Sequence, residues 1–443
     1  MTLTGLAFLI SFAYGMLSAL GRHPIYGLTT YIAVLFLHPP SRWWGASLPG
    51  GRWALVASLV TFFAYQSRSS LLMKPTKIRS HSIFMALSIL FVWMVIQWPW
   101  ALWTAKHGEI VELYFKYLIL MYLFYHVVST DRHLRMILWT YIFGCFYLGW
   151  IAYTTYTGGR FEGFGGPDTG EANAGALALV LGVFAVAPIF LTGTLTERLL
   201  LMGAVPFIMN GIITTASRSA FLALSIGGLI YLYFSPKRYR GRIVLLGALG
   251  VVAFVVLAND FFWGRMGSLK HAGSDVAVEI TEGGRKVSAG FGRVVLMEAQ
   301  MQMFLTNPLG HGHRGTAALS SQYLDERFLT GAADTNRARS SHSTFFTLMV
   351  EHGVVGIAVY FAMLWWCFFT LRRASRICRN GTPFQSALLP SLAAGLAATF
   401  VGDCFVDYLK FEPRIWFIVM LMILVDGTKL TGNGALTTSR GVR

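Results

Sequence analysis

Apolar segments long enough to cross a bilayer recur along this chain, and that repetition limits the fold more than any motif does. Runs near 2–20, 24–38, 52–66, 82–103, 110–128, 133–156, 172–192, 198–215, 217–234, 241–258, 342–371, 385–408 and 413–428 are read as spans. Most reach the roughly 17 to 25 residues needed to cross hydrocarbon as helix, and they lack the alternation of a barrel strand. The second and third are short, so the expected number is about 12–13. A content of 55% hydrophobic and 13% charged residues over 443 positions exceeds what a soluble core can hide. The expectation is an all-α polytopic membrane protein.

In a soluble protein the formal charge of +16 would point to nucleic acid. Here the basic residues concentrate in short loops: Arg68, Lys74, Lys77 and Arg79; Arg132 and Arg135; Lys237, Arg238, Arg240 and Arg242; Arg372, Arg373, Arg376 and Arg379. By the positive-inside rule these loops are cytoplasmic, and no nucleic-acid partner is expected. Alternation then places Gly158–Glu171, the Thr214–Arg218 turn, Asn259–Ser341 and the Tyr408–Arg414 turn outside, with the C-terminal tail inside. The same alternation puts the N-terminus outside, where no charge supports it. Residues 2–20 have neither a basic start nor a small-residue cleavage site, so they read as a first span, not a cleaved signal. The isolated Cys145, Cys367, Cys378 and Cys404 encode neither a disulfide framework nor a cysteine metal site.

With no internal repeat, the organisation reads as N-terminal spans (1–258), one large outer loop (259–341), C-terminal spans (342–430) and a tail (431–443). The loop is the one long polar segment and is rich in cations, among them Arg265, Lys270, Arg285, Lys286, Arg293, Arg314, Arg327, Arg337 and Arg339. Within it, 260–290 is Gly-rich and expected to be irregular. Between Gly292 and Thr306, Val294, Met297, Met301 and Phe304 or Leu305 recur at helical spacing, which predicts an amphipathic helix along the membrane surface. The turn-rich Asn307-Pro308-Leu309-Gly310 stops it, and a second short helix is expected over 316–328.

Three residues carry the candidate chemistry. Arg218 sits among hydroxyls in Thr214-Thr215-Ala216-Ser217-Arg218-Ser219, where a guanidinium at membrane depth calls for an anion. A phosphate fits its planar fork, and snorkelling to lipid headgroups is the plainer alternative. Arg293 opens the amphipathic helix, where N-terminal amides also favour an anion, or it is an interfacial cation. His342 stands where the loop re-enters the membrane, suited by its proton affinity to take a proton from an acceptor hydroxyl. His311, His313 and His352 compete for that role. A metal site from His311, His313 and His342 lacks a completing acidic ligand at suitable spacing. Arg160 in the outer 158–171 loop, His313 and Arg314 in the turn, and Asp403 join Arg218 and Arg293 as candidate substrate-binding residues. Asp403 and Asp407 share a helix face and either orient His342 or an acceptor sugar, or pair with Lys410 or Arg414.

Taken together, Ser217-Arg218-Ser219-Ala220, Gly292-Arg293, Asn307-Pro308-Leu309-Gly310-His311-Gly312, and His342 followed by Glu351-His352-Gly353 and Gly356 resemble the O-antigen ligase and polymerase superfamily over roughly residues 170–425. The Arg42-Trp43-Trp44 loop and Glu351-His352-Gly353 look most like the O-glycosylation ligases associated with exosortase systems. The resemblance implies a GT-C-type glycosyltransferase on the outer face of the bacterial inner membrane, working without a metal or other cofactor. It moves a glycan from an undecaprenyl diphosphate carrier to a hydroxyl on a lipid, glycan or protein acceptor. The residues matching Arg218 and Arg293 hold the diphosphate, and the one matching His342 acts as base or positions the acceptor. Ser343 departs from the Asn that many relatives have there, which bears on the acceptor class. Alternatives are a polymerase of the same superfamily, an envelope-lipid transporter or flippase, or an assembly subunit. A transporter would be expected to show repeated halves and ionisable groups at bilayer depth.

Overall fold

The computed structural model describes residues 2–70, 72, 77–166, 169–258, 260–267, 278–279, 287–329 and 338–426. Lys74, Lys270, Arg285, Lys286, Arg337 and the 431–443 tail, all invoked above, lie outside the described residues. Among the described residues, sixteen α-helices follow in chain order: α1 (Leu3–Gly21), α2 (Ile25–Leu37), α3 (Trp53–Gln66), α4 (Ser82–Ile96), α5 (Thr104–Val127), α6 (Asp131–Thr155), α7 (Ala172–Thr192), α8 (Leu195–Thr215), α9 (Arg218–Phe234), α10 (Lys237–Leu257), α11 (Asp260–Gly267), α12 (Ala289–Thr306), α13 (Gly315–Tyr323), α14 (Thr344–Cys378), α15 (Pro383–Asp403) and α16 (Glu412–Asp426). Val278–Glu279 and Val287–Ser288 form a two-residue antiparallel ribbon. The protein is an all-α polytopic membrane protein.

Each of the thirteen apolar runs coincides with a helix. Among the described residues, eight of these are long and apolar enough to cross a membrane (α1, α5, α6, α7, α8, α10, α14 and α15), and α3, α4 and α9 are shorter apolar helices. Several boundaries shift by a few residues, and two differences have a visible cause. The run 82–103 ends as α-helix at Ile96, because Pro99 lacks an amide hydrogen and Trp98–Trp100 turns as a 3₁₀ segment. The run 342–371 is broken at Gly353, whose φ of 63° and ψ of −150° divide α14 into a short first piece and a long second one.

The interior is built from α7, α15 and α16, which are apolar all round, as helices enclosed by other helices must be. Every residue of α16 from Glu412 to Val425 is buried. Helix α15 packs on α7 and α9, while α16 packs on α5, α14 and α15. Helix α10 is the opposite case, touching α8 and α9 and exposing Leu245, Leu249, Val252 and Val256, as expected of a helix that faces lipid.

In the loop, the start of the segment expected to be irregular is helical, and residues 268–277 and 280–286 of that segment lie outside the described residues. Residues Asp260–Gly267 form α11 because Phe262 and Met266, one turn apart, bury against Ile213, Ala216 and Phe254. Helix α12 begins slightly earlier than predicted and carries two apolar faces. Leu296, Ala299 and Met303 bury against Leu324, Phe328, Met349 and Val350. The predicted stripe of Val294, Met297, Met301 and Leu305 stays exposed, leaving an apolar face of the kind that lies on a bilayer surface. The expected second helix is α13, followed by a 3₁₀ turn at Glu326–Phe328.

Candidate active site

His342 lies two residues before the start of α14 and is an exposed residue with one side of its ring packed against protein. The competing histidines are all buried and committed. His311 Nε2 bonds the Met303 carbonyl at 2.9 Å, His313 Nδ1 bonds Glu351 Oε2 at 2.7 Å, and His352 Nδ1 bonds Gln97 Oε1 at 2.8 Å. Of the four, His342 alone is open to a substrate. Protein packed against its ring, with the cations of Arg339 and Arg293, pushes its pKa down to about 4. The imidazole is therefore neutral at ordinary pH and holds a lone pair able to accept a proton. The same interaction puts Arg293, exposed and about one turn into α12, within electrostatic reach of His342. Arg314 approaches the same segment, with a left-handed φ of 65° and a hydrogen bond from its guanidinium to Ser340 Oγ at 2.7 Å.

A second group of residues gathers at the N-termini of α7 and α9. Ser217 caps α9, accepting from the Ala220 amide, and donates to Asn173 Oδ1 at 2.8 Å. Arg160 reaches the same Asn173 oxygen at 2.7 Å, so one carboxamide ties the 158–171 loop to both helix starts. Arg218 is the first residue of α9. Ser219 continues the chain of contacts, bonding Ser217 Oγ at 3.1 Å and the Tyr408 phenol. Tyr408 donates to the Asn173 carbonyl at 3.0 Å, and its own amide donates to Thr344 Oγ1 at 2.8 Å. The N-termini of α7, α9 and α14 are thus joined through Tyr408. Helix N-termini carry partial positive charge, so their convergence with arginines favours an anion.

Thr344 also donates to Asp403 Oδ1 at 2.7 Å, and Asp403 pairs with Arg414, both buried. Of the alternatives for Asp403, the structure takes the ion pair with Arg414, while Thr344 carries its influence towards His342. Asp407 is exposed and accepts from the Leu409 amide at 3.0 Å.

The turn 307–314 docks on the break in α14. The amides of His311, Gly312 and Val354 donate to the carbonyls of Val350, Glu351 and Pro308 at 3.0, 2.9 and 2.9 Å. The backbones cross so closely that a Cβ on Gly353 would stand 2.2 Å from the Pro308 carbonyl oxygen. The last turn of α4 and the segment after it close this crossing. Gln97 donates to the Leu309 and Glu351 carbonyls, and Trp93 and Trp100 donate to those of His352 and Gly310. His313 is enclosed here and reaches no surface.

The structure therefore brings Arg293, Arg314 and His342 to one region and joins it, through Tyr408 and Thr344, to the Arg160–Arg218 side. It does not assemble a metal site from His311, His313 and His342, since the first two are buried in the crossing and His342 is outside it. Arg42 serves the fold, bonding the Leu37 and Phe36 carbonyls at the end of α2 and lying over the Tyr147 ring. Sequence reasoning missed Asn173, Tyr408, Thr344 and Gln97. Their one signal is position, Asn173 and Thr344 being hydroxyl or amide residues at the starts of apolar runs.

Comparison with known families finds that residues 203–361 match the O-antigen ligase model, Wzy_C. The matched range contains Arg218, Arg293 and His342. No curated protein matches the chain.

Proposed function

We propose that this chain, which carries an O-antigen ligase domain over residues 203–361, transfers a glycan from undecaprenyl diphosphate to an acceptor hydroxyl at the periplasmic face of the bacterial inner membrane. The observation that carries the reading is the exposed His342, neutral at ordinary pH, with Arg339 and Arg293 in electrostatic reach and Arg314 tied to the nearby Ser340. In such a transfer the anomeric carbon's bond to the diphosphate oxygen breaks and the acceptor oxygen bonds that carbon. The acceptor proton passes to His342, and the electron pair leaves on the diphosphate. Arg218 and Arg293 are assigned to that developing charge, with Arg160 and Arg314 at its rim. A lipid diphosphate is already a good leaving group, so the scheme calls for cations and one base, not the paired carboxylates of a glycosidase.

The cations also make the base responsive to the donor. In the free protein burial first, and then the charges of Arg339 and Arg293, hold the His342 pKa low. A bound diphosphate offsets their charge, which raises the proton affinity of His342 when an acceptor must be deprotonated.

Deletion of the gene followed by analysis of envelope glycans tests the reading. Full-length chains left on the carrier are expected of a missing ligase. Capped single units would assign the chain to the polymerases of the same superfamily, and an unaltered glycan profile would overturn the transferase reading.

A further inference from the structure

The crossing of the 307–314 turn with α14 holds three potential metal ligands that the proposed transfer does not use. His313, Glu351 and His352 are each at most 4% exposed as side chains or buried outright, and a candidate ligand atom from each lies within 4.8 Å of the other two. Their hydrogen bonds determine which ring nitrogen carries the proton. Glu351 as a carboxylate can only accept, so His313 Nδ1 donates to it. Gln97 spends its amide hydrogens on the Leu309 and Glu351 carbonyls, which makes its Oε1 the acceptor and His352 Nδ1 the donor. Both Nε2 atoms are buried without a hydrogen-bond partner among the described residues; that of His352 is a bare lone pair open to a ligand, and that of His313 can take up the proton when Nδ1 gives it up. His107 is excluded as a further ligand, because its Nδ1 accepts from the His313 amide and its Nε2 donates to the Met94 carbonyl.

We propose that His313, Glu351 and His352 bind one divalent transition-metal ion, of the zinc type, that takes the place of the proton between His313 Nδ1 and Glu351, meets the bare Nε2 of His352, and staples the 307–314 turn to the break in α14. Two imidazoles and a carboxylate are a ligand set that zinc takes with an open fourth position. An imidazole whose other nitrogen donates to an amide or carboxylate oxygen is the usual orientation of a metal-bound histidine, and Gln97 supplies that contact for His352. Zinc–ligand bonds of about 2.0–2.1 Å put ligand atoms about 3.3 Å apart, so binding parts His313 Nδ1 and Glu351 slightly from their 2.7 Å contact and draws His352 towards them. The ion sits in the framework that carries His342, nine residues before Glu351, and takes no part in the transfer chemistry.

The test uses the full chain purified in detergent, stripped with a chelator, given one equivalent of zinc and desalted. Plasma mass spectrometry is expected to find close to one zinc per chain. X-ray absorption should show two imidazoles plus oxygen, and the unfolding midpoint should rise. Glu351→Gln and His352→Gln should lose the retained zinc, and Gln97→Ala should weaken binding by about 10- to 100-fold. Retention below a tenth of an equivalent, or coordination by fewer than two imidazoles, overturns the site. The spectrum of the parent protein decides the matter even where a variant fails to fold.

Discussion

The Thr344 hydroxyl donates to Asp403 at 2.7 Å while accepting the Tyr408 amide at 2.8 Å, which locks the first turn of α14 to the end of α15 two residues from His342. Asp403 is in turn neutralised by Arg414. A residue that looked available to substrate thus acts at one remove, by holding the segment that presents the histidine.

Thr344→Val keeps the shape of that side chain and removes its hydrogen bonds. The buried carboxylate and amide left behind should cost about 1–3 kcal/mol in stability. Chemical denaturation measures that loss, and glycan transfer should fall in the same variant while donor binding persists. Asp403→Asn should be harsher, about 3–5 kcal/mol, because it leaves the Arg414 charge buried and unpaired.

Gly353→Ala tests the backbone crossing. The new Cβ meets the Pro308 carbonyl oxygen at 2.2 Å, on a residue whose φ of 63° already excludes most side chains. Neither backbone can yield without breaking the amide bonds of the turn, so a loss of about 4 kcal/mol or more is expected. Gly228→Ala in α9, where a Cβ meets nothing within 4 Å, should be neutral or slightly stabilising. Thermal unfolding in detergent compares the two, and equal midpoints would contradict the crossing.

The spans could be read from the chain because lipid imposes a local rule: each crossing needs its own apolar run, and the runs coincide with helices. The site could be read only in part. Arg218, Arg293 and His342 announce themselves as polar residues at the ends of apolar runs. Asn173 and Tyr408 do not, because their partners lie 44 and 235 positions away and such contacts leave no spacing signal. The four histidines could not be ranked either, since burial separates them and burial is a property of packing. Gly353 read as one glycine within an apolar run, and only the approach of Pro308 shows why the helix breaks there.

Arg218→Lys and Arg293→Lys keep the charge and lose the bidentate fork. If these residues hold a diphosphate, each Lys variant should bind a lipid diphosphate more weakly and transfer markedly more slowly, with alanine worse at both positions. Binding and turnover equal to the parent in both Lys variants would leave the two arginines as lipid-facing cations.

The pH profile follows from the sign of the His342 shift. Its pKa is depressed to about 4, so the free protein keeps the proton-accepting form as pH falls from neutral until it nears that value. The acidic limb of kcat/KM should lie there, whereas the limb of kcat, read with the anionic donor bound, should lie at higher pH. Arg339→Gln removes one of the cations that depress the pKa and should move the kcat/KM limb upward. A limb that stays in place would show that Arg339 does not act on the base.

The central claim is that His342 meets the acceptor hydroxyl while the arginines hold the donor, and the most direct measurement is transfer by purified His342→Ala alongside its binding of a lipid diphosphate. Loss of the base is expected to slow transfer by about 100- to 10,000-fold, with donor binding and protein yield near those of the parent. Alanine variants at His311, His313 and His352 should act through stability instead. A His342→Ala protein that transfers glycan at the parental rate would contradict the account.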